Sequence, residues 1–130
     1  MKSNPLISVI TVCYNSEATL ERAVQSVADQ DYPQVEHILI DGASTDSTPA
    51  IIERFRERLS HVVSEPDHGV YHAMNKGLAR ANGDIVCFLN SDDYYTHPQV
   101  LSRVVSQMRE LDLDALIGDV CFFHKRDPSI

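Results

Sequence analysis

The amino-acid sequence predicts an α/β fold with a mostly parallel sheet flanked by helices. Short runs of apolar and β-branched residues alternate along the chain with segments in which apolar residues recur every three or four positions. Polar residues follow each apolar run. Alternating strands and helices of these lengths form parallel sheets with right-handed crossover connections. At 130 residues, of which 43% are apolar, the chain is long enough for a single domain of this kind.

The first strand and helix are predicted between residues 6 and 28. The segment Leu6 to Val12 is apolar without alternation, as expected of a strand that is buried on both faces. From Leu20 to Ala28 the apolar residues lie on one face of a helix. Asn15 or Ser16 is placed to cap the first turn of this helix.

The next elements repeat the strand–helix pattern. His37 to Ile40 is a second apolar run that predicts a strand. Thr48 and Pro49 predict the N-cap and the first position of a second helix. His61 to Ser64 is a short candidate for a third strand.

The second half of the chain continues this alternation. A helix is predicted from Val70 to Ala81, closed by Asn82-Gly83, and a buried strand from Ile85 to Leu89. A further helix begins near Pro98, and Ala115 to Phe123 predicts the last strand.

The acidic composition disfavours several classes of partner. Asp and Glu number 19 against 11 Lys and Arg, and the formal charge of −8 argues against binding to nucleic acids or anionic membrane surfaces. The sequence lacks the glycine-rich dinucleotide motif, the P-loop and the nucleophile elbow of serine hydrolases. It also lacks a signal peptide and a transmembrane segment, so we expect a cytoplasmic protein.

The cysteine, histidine and lysine residues are less specific signals. Three cysteines lie in apolar runs outside any C-x-x-C pair and indicate buried, reduced thiols: Cys13, Cys87 and Cys121. His68 and His72 are four residues apart, but the H-E-x-x-H context of a helical zinc site is missing. Lys76 is placed to offset a phosphate, or it is an ordinary surface lysine.

Polar clusters follow the predicted strands. In parallel α/β sheets, ligands bind beyond the carboxyl ends of the strands. We therefore expect the following clusters to meet on one edge of the sheet: Tyr14-Asn15, Asp41 to Asp46, Glu65 to Gly69 and Asn90 to Asp93.

The acids in these clusters have two interpretations each. Asp92 and Asp93 would repel each other unless solvent, a proton or a cation relieves them, so they indicate either a Mg²⁺ or Mn²⁺ site or a solvated turn. Asp41 could accept hydrogen bonds from a base or a sugar. Alternatively, the loop after Asp41 serves only to begin the next helix, with Asp46 or Ser47 as a cap.

Five ordered motifs resemble those of the family 2 glycosyltransferases, most closely the bacterial members that build capsular, exopolysaccharide or lipopolysaccharide chains. The resemblance extends from about Leu6 to at least Asp93. The segments that carry it are Ser8 to Asn15 (SVITVCYN), Ile40 to Asp46 (IDGASTD), Glu65 to Tyr71 (EPDHGVY), Ala73 to Gly77 (AMNKG) and Phe88 to Asp93 (FLNSDD). The resemblance implies the Rossmann-like GT-A nucleotide-diphospho-sugar transferase fold, a nucleotide-sugar donor, Mn²⁺ or Mg²⁺ as cofactor, and inversion at the anomeric carbon.

The resemblance also implies roles for individual residues. By position in the motifs, the implied nucleotide-binding residues are Val12, Tyr14, Asn15, Asp41, Asn75, Lys76 and Asp92. Among them, Asp41 would accept from the base, Asp92 would approach the ribose, and Asn75 and Lys76 would lie near the donor phosphates. Asp93 would be the metal ligand. Asn90 stands where many members have the first Asp of the D-x-D motif.

The catalytic base remains unassigned. In the family it lies well beyond the D-x-D segment, whereas this sequence ends at Ile130. Asp119 is a late carboxylate at the end of a strand-like run, but it is closer to the motif than the usual base. We therefore expect residues 1–130 to form a single nucleotide-sugar-binding domain, truncated at its C-terminus relative to a complete glycosyltransferase. Such a chain would bind a nucleoside diphosphate with little or no transfer on its own.

The resemblance also sets the expected partners. The expected donor is a UDP-sugar, with GDP- and dTDP-sugars as alternatives, and the expected acceptor is a glycan or a lipid-linked glycan. Two points are left open: peripheral association of the full enzyme with the inner face of the cell membrane, and oligomerisation. Two other functions stay open: a stand-alone nucleotide-sugar-binding module or assembly partner without transfer activity, and a nucleotidyltransferase. The latter class has a glycine- and arginine-rich loop with a lysine after the first strand, which Thr11 to Glu17 lacks.

Overall fold

The computed structural model describes residues 4–112 and 114, and it confirms the predicted α/β fold. The strands are β1 (Ile7–Cys13), β2 (Val35–Asp41), β3 (His61–Ser64) and β4 (Ile85–Phe88). The helices are α1 (Leu20–Ala28), α2 (Thr48–Arg54), α3 (Val70–Arg80) and α4 (Val100–Glu110), with a 3₁₀ turn at Arg56–Arg58. The four strands form one parallel sheet in the order β3-β2-β1-β4.

Helices cover both faces of the sheet around its central strand, β1. On one face, Ile7 and Val9 of β1 pack with residues of α1 and α4. On the other face, Ile10 and Val12 pack with α3. Because both faces of β1 are covered, its sequence is apolar without alternation, as is usual in parallel sheets. Within residues 4–112, no helix is both long and apolar enough to cross a membrane.

The start of α1 differs from the prediction. The caps predicted there, Asn15 and Ser16, are wrong, because Thr19 precedes the helix and no side chain caps its first turn. The Asn15 Oδ1 atom instead accepts a hydrogen bond from the backbone N–H of Thr45 at 2.8 Å. The Ser16 hydroxyl lies 2.8 Å from that of Ser91. Both side chains thus connect loops rather than cap a helix.

The start of α2 is shifted by one residue. Thr48 is the first helical residue, and the residue at the N-cap position is Ser47. The backbone N–H of Thr48 donates to Asp46 Oδ1 at 2.8 Å, so the alternative in which Asp46 helps to begin this helix is confirmed. The predicted strand from Ala115 to Phe123 lies outside the described residues. The remaining predicted elements agree with the structure to within about two residues at their ends.

Candidate functional site

A cavity of about 610 Å³ opens at the carboxyl edge of the sheet. This volume lies within the range of small-molecule and cofactor sites in proteins. The cavity is formed by the end of β1, the loop into α1, the start of α3 and the loop after β4. Its lining residues are Val12, Cys13, Tyr14, Asn15, Ser16, Ala18, Thr19, Asp67, Gly69, Val70, Ala73, Asn90, Ser91 and Asp92. Three of the predicted polar clusters therefore contribute directly to one cavity.

The β1–α1 loop supplies one wall of this cavity. All of β1 is buried up to Cys13, whereas Tyr14, the next residue, is 61% exposed, so its ring is available to a ligand. Asn15 has a positive φ of 49°, in the left-handed region that most residues avoid. The hydroxyl contact between Ser16 and Ser91 joins this loop to the loop after β4. This wall of the cavity is thus connected to the loop after β4.

Asp41 lies behind the cavity rather than in it. Its side chain is fully buried and does not contribute to the lining. Its carboxylate accepts hydrogen bonds from the hydroxyls of Ser44 and Ser64, and from the Cys13 thiol at 3.6 Å. Burial, and then the charge of Asp41, raise the pKa of the Cys13 thiol, which therefore stays protonated. A direct contact between Asp41 and a nucleobase stays a prediction.

Asp67 is a cavity residue that the sequence did not single out as a ligand. Its Oδ1 accepts the N–H of Gly69 at 3.0 Å, which shapes the turn before α3. A Cβ atom on Gly42 would lie 2.8 Å from Asp67 Oδ2 and 3.4 Å from Tyr14, so the glycine makes room for the carboxylate. The sequence signal for this residue is an Asp two positions before a Gly, in the segment that follows a strand. This pattern is also typical of an ordinary turn, so it does not identify a ligand-binding residue.

The loop after β4 presents the pair of acids. The N–H of Asp93 donates to the carbonyl of Asn90 at 3.0 Å, which closes a tight turn. Asp92 lines the cavity, and Asp93 is exposed next to it. Partial burial, and then the charge of Asp92, raise the pKa of Asp93. Bringing these two carboxylates together therefore costs electrostatic free energy that a cation would relieve.

The two carboxylates of this acid pair are also enough protein ligands for a divalent cation. Among residues 4–112 and 114, no cluster of three or more His, Cys, Asp or Glu side chains could hold a metal on its own. Mg²⁺ and Mn²⁺ do not require one, because one or two carboxylates suffice when water and substrate phosphates complete the shell. The donor set of Asp92 and Asp93 therefore suits a metal that arrives with a phosphorylated ligand.

Lys76 and Asn75 do not reach the cavity. The Lys76 ammonium donates to the carbonyl of Pro66 at 3.1 Å and pairs with Glu65 at 3.0 Å, so it ties α3 to the loop before it. Asn75 is exposed on α3 and lies outside the cavity lining. Contacts of these two residues with donor phosphates stay predictions.

His68 and His72 contact each other at the start of α3. Their rings stack with centroids 5.0 Å apart, and the N–H of His68 donates to Nδ1 of His72 at 2.9 Å. The four-residue spacing is thus used for a local contact that orders the first turn of the helix. Asp119 and Cys121, which the sequence also singled out, lie outside the described residues.

Comparison with known proteins identifies the family of the chain. The chain matches the model of glycosyl transferase family 2 over residues 8–125. It is 38% identical over 128 residues to an uncharacterised glycosyltransferase of Mycobacterium tuberculosis (strain CDC 1551 / Oshkosh), a match that covers 91% of this chain and 49% of that protein. The chain thus spans about half the length of the curated relatives it matches.

Two solved structures share the fold. One is S. aureus TarS 1-349 in complex with UDP, which is 34% identical with a TM-score of 0.73 and covers 81% of this chain and 32% of that one. The other is the mannosyltransferase PcManGT from Pyrobaculum calidifontis in complex with GDP-Man and Mn²⁺, which is 31% identical with a TM-score of 0.76. That match covers 82% of this chain and 33% of the mannosyltransferase. Since the family match extends over most of the sequence and the sheet is that of GT-A structures, the chain belongs to glycosyl transferase family 2.

Proposed function

We propose that this chain holds the donor site of an inverting glycosyltransferase that transfers a sugar from a nucleoside diphosphate to a glycan or lipid-linked acceptor. The observation that carries the proposal is the cavity at the carboxyl edge of the sheet, which Asp92 lines and next to which Asp93 is exposed. A nucleotide needs a wall for its base and ribose and a cationic centre for its diphosphate. The β1–α1 loop offers the first, and the acid pair can hold the second.

The donor nucleotide is assigned to this cavity. Its base and ribose would lie against Val12, Tyr14 and Asn15, with Asp92 near the ribose and Asp67 as a further hydrogen-bond acceptor. Binding of UDP by TarS and of GDP-Man by PcManGT supports a nucleoside diphosphate as the ligand. We propose a UDP-sugar as the donor, with GDP- and dTDP-sugars as the alternatives.

Asp93 would hold the divalent cation, with Asp92 as its neighbour. The presence of Mn²⁺ in the PcManGT complex supports this assignment. A bound cation would neutralise the charge that develops on the diphosphate as it leaves. The chain itself would fix the positions of the two carboxylates through the turn from Asn90 to Asp93. The diphosphate would lie next to this turn, at the edge of the cavity.

Transfer requires a base that the described residues do not assign. Inversion needs a group that removes the proton of the acceptor hydroxyl as the oxygen attacks the anomeric carbon. Asp119 is the candidate from the sequence, and it lies outside the described residues. We therefore expect this chain to bind the donor nucleotide with little or no transfer on its own.

Titration calorimetry tests the donor site. UDP and GDP are titrated into the wild type with and without Mn²⁺, and into Asp93→Ala. We expect Mn²⁺ to strengthen nucleotide binding by roughly tenfold or more, equivalent to about 1.4 kcal/mol, and Asp93→Ala to remove that gain. Asp31→Ala, an exposed acid on the loop after α1, is the matched control and should behave like the wild type. Nucleotide binding that ignores Mn²⁺, or an unchanged Asp93→Ala, would overturn the site assignment.

A further inference from the structure

We propose that Asp41 is a positioning residue, whose buried carboxylate fixes the β1–α1 loop through Ser44, instead of contacting the nucleotide directly. This inference rests on the proposed donor site, because that loop forms the wall against which the nucleotide would lie. In this arrangement, Asp41 and Ser44 act on the nucleotide indirectly, by holding Asn15 in place. A direct contact between Asp41 and the base would not involve Asn15.

The first support is that both carboxylate oxygens of Asp41 are engaged within the protein. Oδ1 accepts from the hydroxyl of Ser44 and the thiol of Cys13, and Oδ2 accepts from the hydroxyl of Ser64 at 2.7 Å and from the backbone N–H of Ser44 at 3.2 Å. The residue is fully buried. A nucleobase could reach this carboxylate only by displacing one of these donors.

The second support is the relay through Ser44. Its hydroxyl donates to Asp41 and, at the same time, accepts the backbone N–H of Asn15 at 2.8 Å. Because the hydroxyl proton is committed to the carboxylate, a lone pair of the same oxygen is directed to Asn15. The carboxylate thus determines the orientation of the group that holds the cavity wall.

The third support is that the wall needs to be held. Asn15 has φ of 49° and Ala43, next to Ser44, has φ of 64°, both in the left-handed region. Such residues persist where surrounding contacts hold them. A second contact, from the N–H of Thr45 to Asn15 Oδ1 at 2.8 Å, holds the same residue from the same loop.

The relay and a direct contact with the base predict different ligand specificity. Loss of the relay displaces Tyr14 and Asn15 together, so every nucleotide should lose affinity. Loss of a direct hydrogen bond to the base should instead depend on which base is bound. Ser64 provides a matched control, because its hydroxyl donates to the same carboxylate and not to the β1–α1 loop, and Ser64 does not line the cavity.

The test measures the affinities of UDP and CDP, which differ in the hydrogen-bonding edge of the base, for wild type, Ser44→Ala, Ser44→Thr and Ser64→Ala in the presence of Mn²⁺. We expect Ser44→Ala to weaken both nucleotides by the same factor, roughly five- to tenfold. Ser44→Thr, which keeps the hydroxyl, should restore affinity for both. Ser64→Ala should lower the melting temperature about as much as Ser44→Ala, yet leave both affinities within roughly twofold of the wild type.

Two results would overturn the relay. One is a loss in Ser44→Ala, or in Asp41→Asn, that affects UDP but not CDP, since this shows readout of the base. The other is an equal loss of nucleotide affinity in Ser44→Ala and Ser64→Ala. Amide hydrogen exchange without nucleotide separates the relay from the donor site itself: Ser44→Ala should accelerate exchange at Asn15, and Ser64→Ala should not. If wild type binds no nucleotide but this exchange pattern holds, the proposed function fails and the relay stands.

Discussion

His37 is a titratable residue in the middle of the sheet and takes no part in the candidate site. It lies on β2, is 3% exposed, and its Nε2 atom is 2.8 Å from the hydroxyl of Thr11 on β1. Burial lowers the pKa of His37 to about 4. The side chain is therefore neutral in the folded protein at neutral pH, with one ring nitrogen satisfied by Thr11.

We predict that His37 makes the folded state sensitive to mild acid. Its folded pKa of about 4 lies below the unfolded value of 6.5, so the unfolded chain binds more protons between these pH values. The contribution of neutral His37 to the free energy of unfolding is fully present above pH 6.5. It falls by about 2 to 3 kcal/mol as the pH drops towards 4. His37→Gln can still hydrogen-bond to Thr11 but does not titrate. Urea unfolding of both proteins from pH 7.5 to 4.5 should show a smaller loss for the variant, and parallel curves would contradict this prediction.

The site residues show how far the sequence predicts individual roles. Tyr14, Asn15 and Asp92 were predicted at the ligand edge from position alone, because the end of a parallel strand determines which edge a residue occupies. The burial of Asp41 could not be predicted in the same way. It depends on Ser44 in the following loop and on Ser64 at the end of the neighbouring strand, and no local pattern shows that both hydroxyls converge on one carboxylate.

The strands of this fold are more predictable from the sequence than the starts of its helices. The apolar runs of β1 and β2 reflect burial on both faces, which is a property of each strand's own sequence. The predicted cap of α1 was wrong because a side chain that could cap a helix can form a hydrogen bond with another partner instead. Asn15 and Ser16 have the right side chains for a cap, but each has a partner in another loop.

The contact between α3 and β1 depends on a glycine inside the helix. A Cβ atom on Gly77 would lie 2.5 Å from Cγ2 of Ile10, which is far closer than any ordinary carbon contact. This methyl group is attached directly to Cβ of Ile10 and cannot rotate away freely. Gly77 therefore allows the helix to lie close over the centre of the sheet, and its place in the helix has a packing reason.

We expect Gly77→Ala to destabilise the fold although alanine favours helices. Alanine gains about 0.8 to 1 kcal/mol over glycine in a helix interior. Overpacking costs about 1 to 3 kcal/mol, and a carbon contact of 2.5 Å belongs in the upper part of that range, about 2 to 3 kcal/mol. The net loss in the free energy of unfolding should be about 1 to 2 kcal/mol, measured by urea unfolding. In the Ile10→Ala background the same substitution should cost less, because the clashing methyl group is gone. Equal costs in both backgrounds would show that the close contact is not the cause.

The charge of the whole chain and the charge at the ligand edge have the same sign. The formal charge is −8, and Asp67 and Asp92 line the cavity, with Asp93 next to Asp92 in the chain. Among the described residues that line the cavity, none is Lys or Arg. Lys76 is near this edge but is paired with Glu65. An anionic nucleotide therefore meets a negative edge until a cation reverses the local charge.

This charge arrangement predicts that salt affects nucleotide binding with opposite signs in the two metal states. The screening length falls from about 30 Å at 0.01 M salt to about 10 Å at 0.1 M. Without divalent metal, the added salt screens repulsion, so the affinity for UDP should rise roughly two- to threefold. With Mn²⁺ it screens attraction, so the affinity should fall by a similar factor. Titrations of UDP at both salt concentrations, with Mn²⁺ or with EDTA, measure the two slopes, and uncharged uridine should show neither. Slopes of the same sign would mean that the acids at this edge do not control access of the nucleotide.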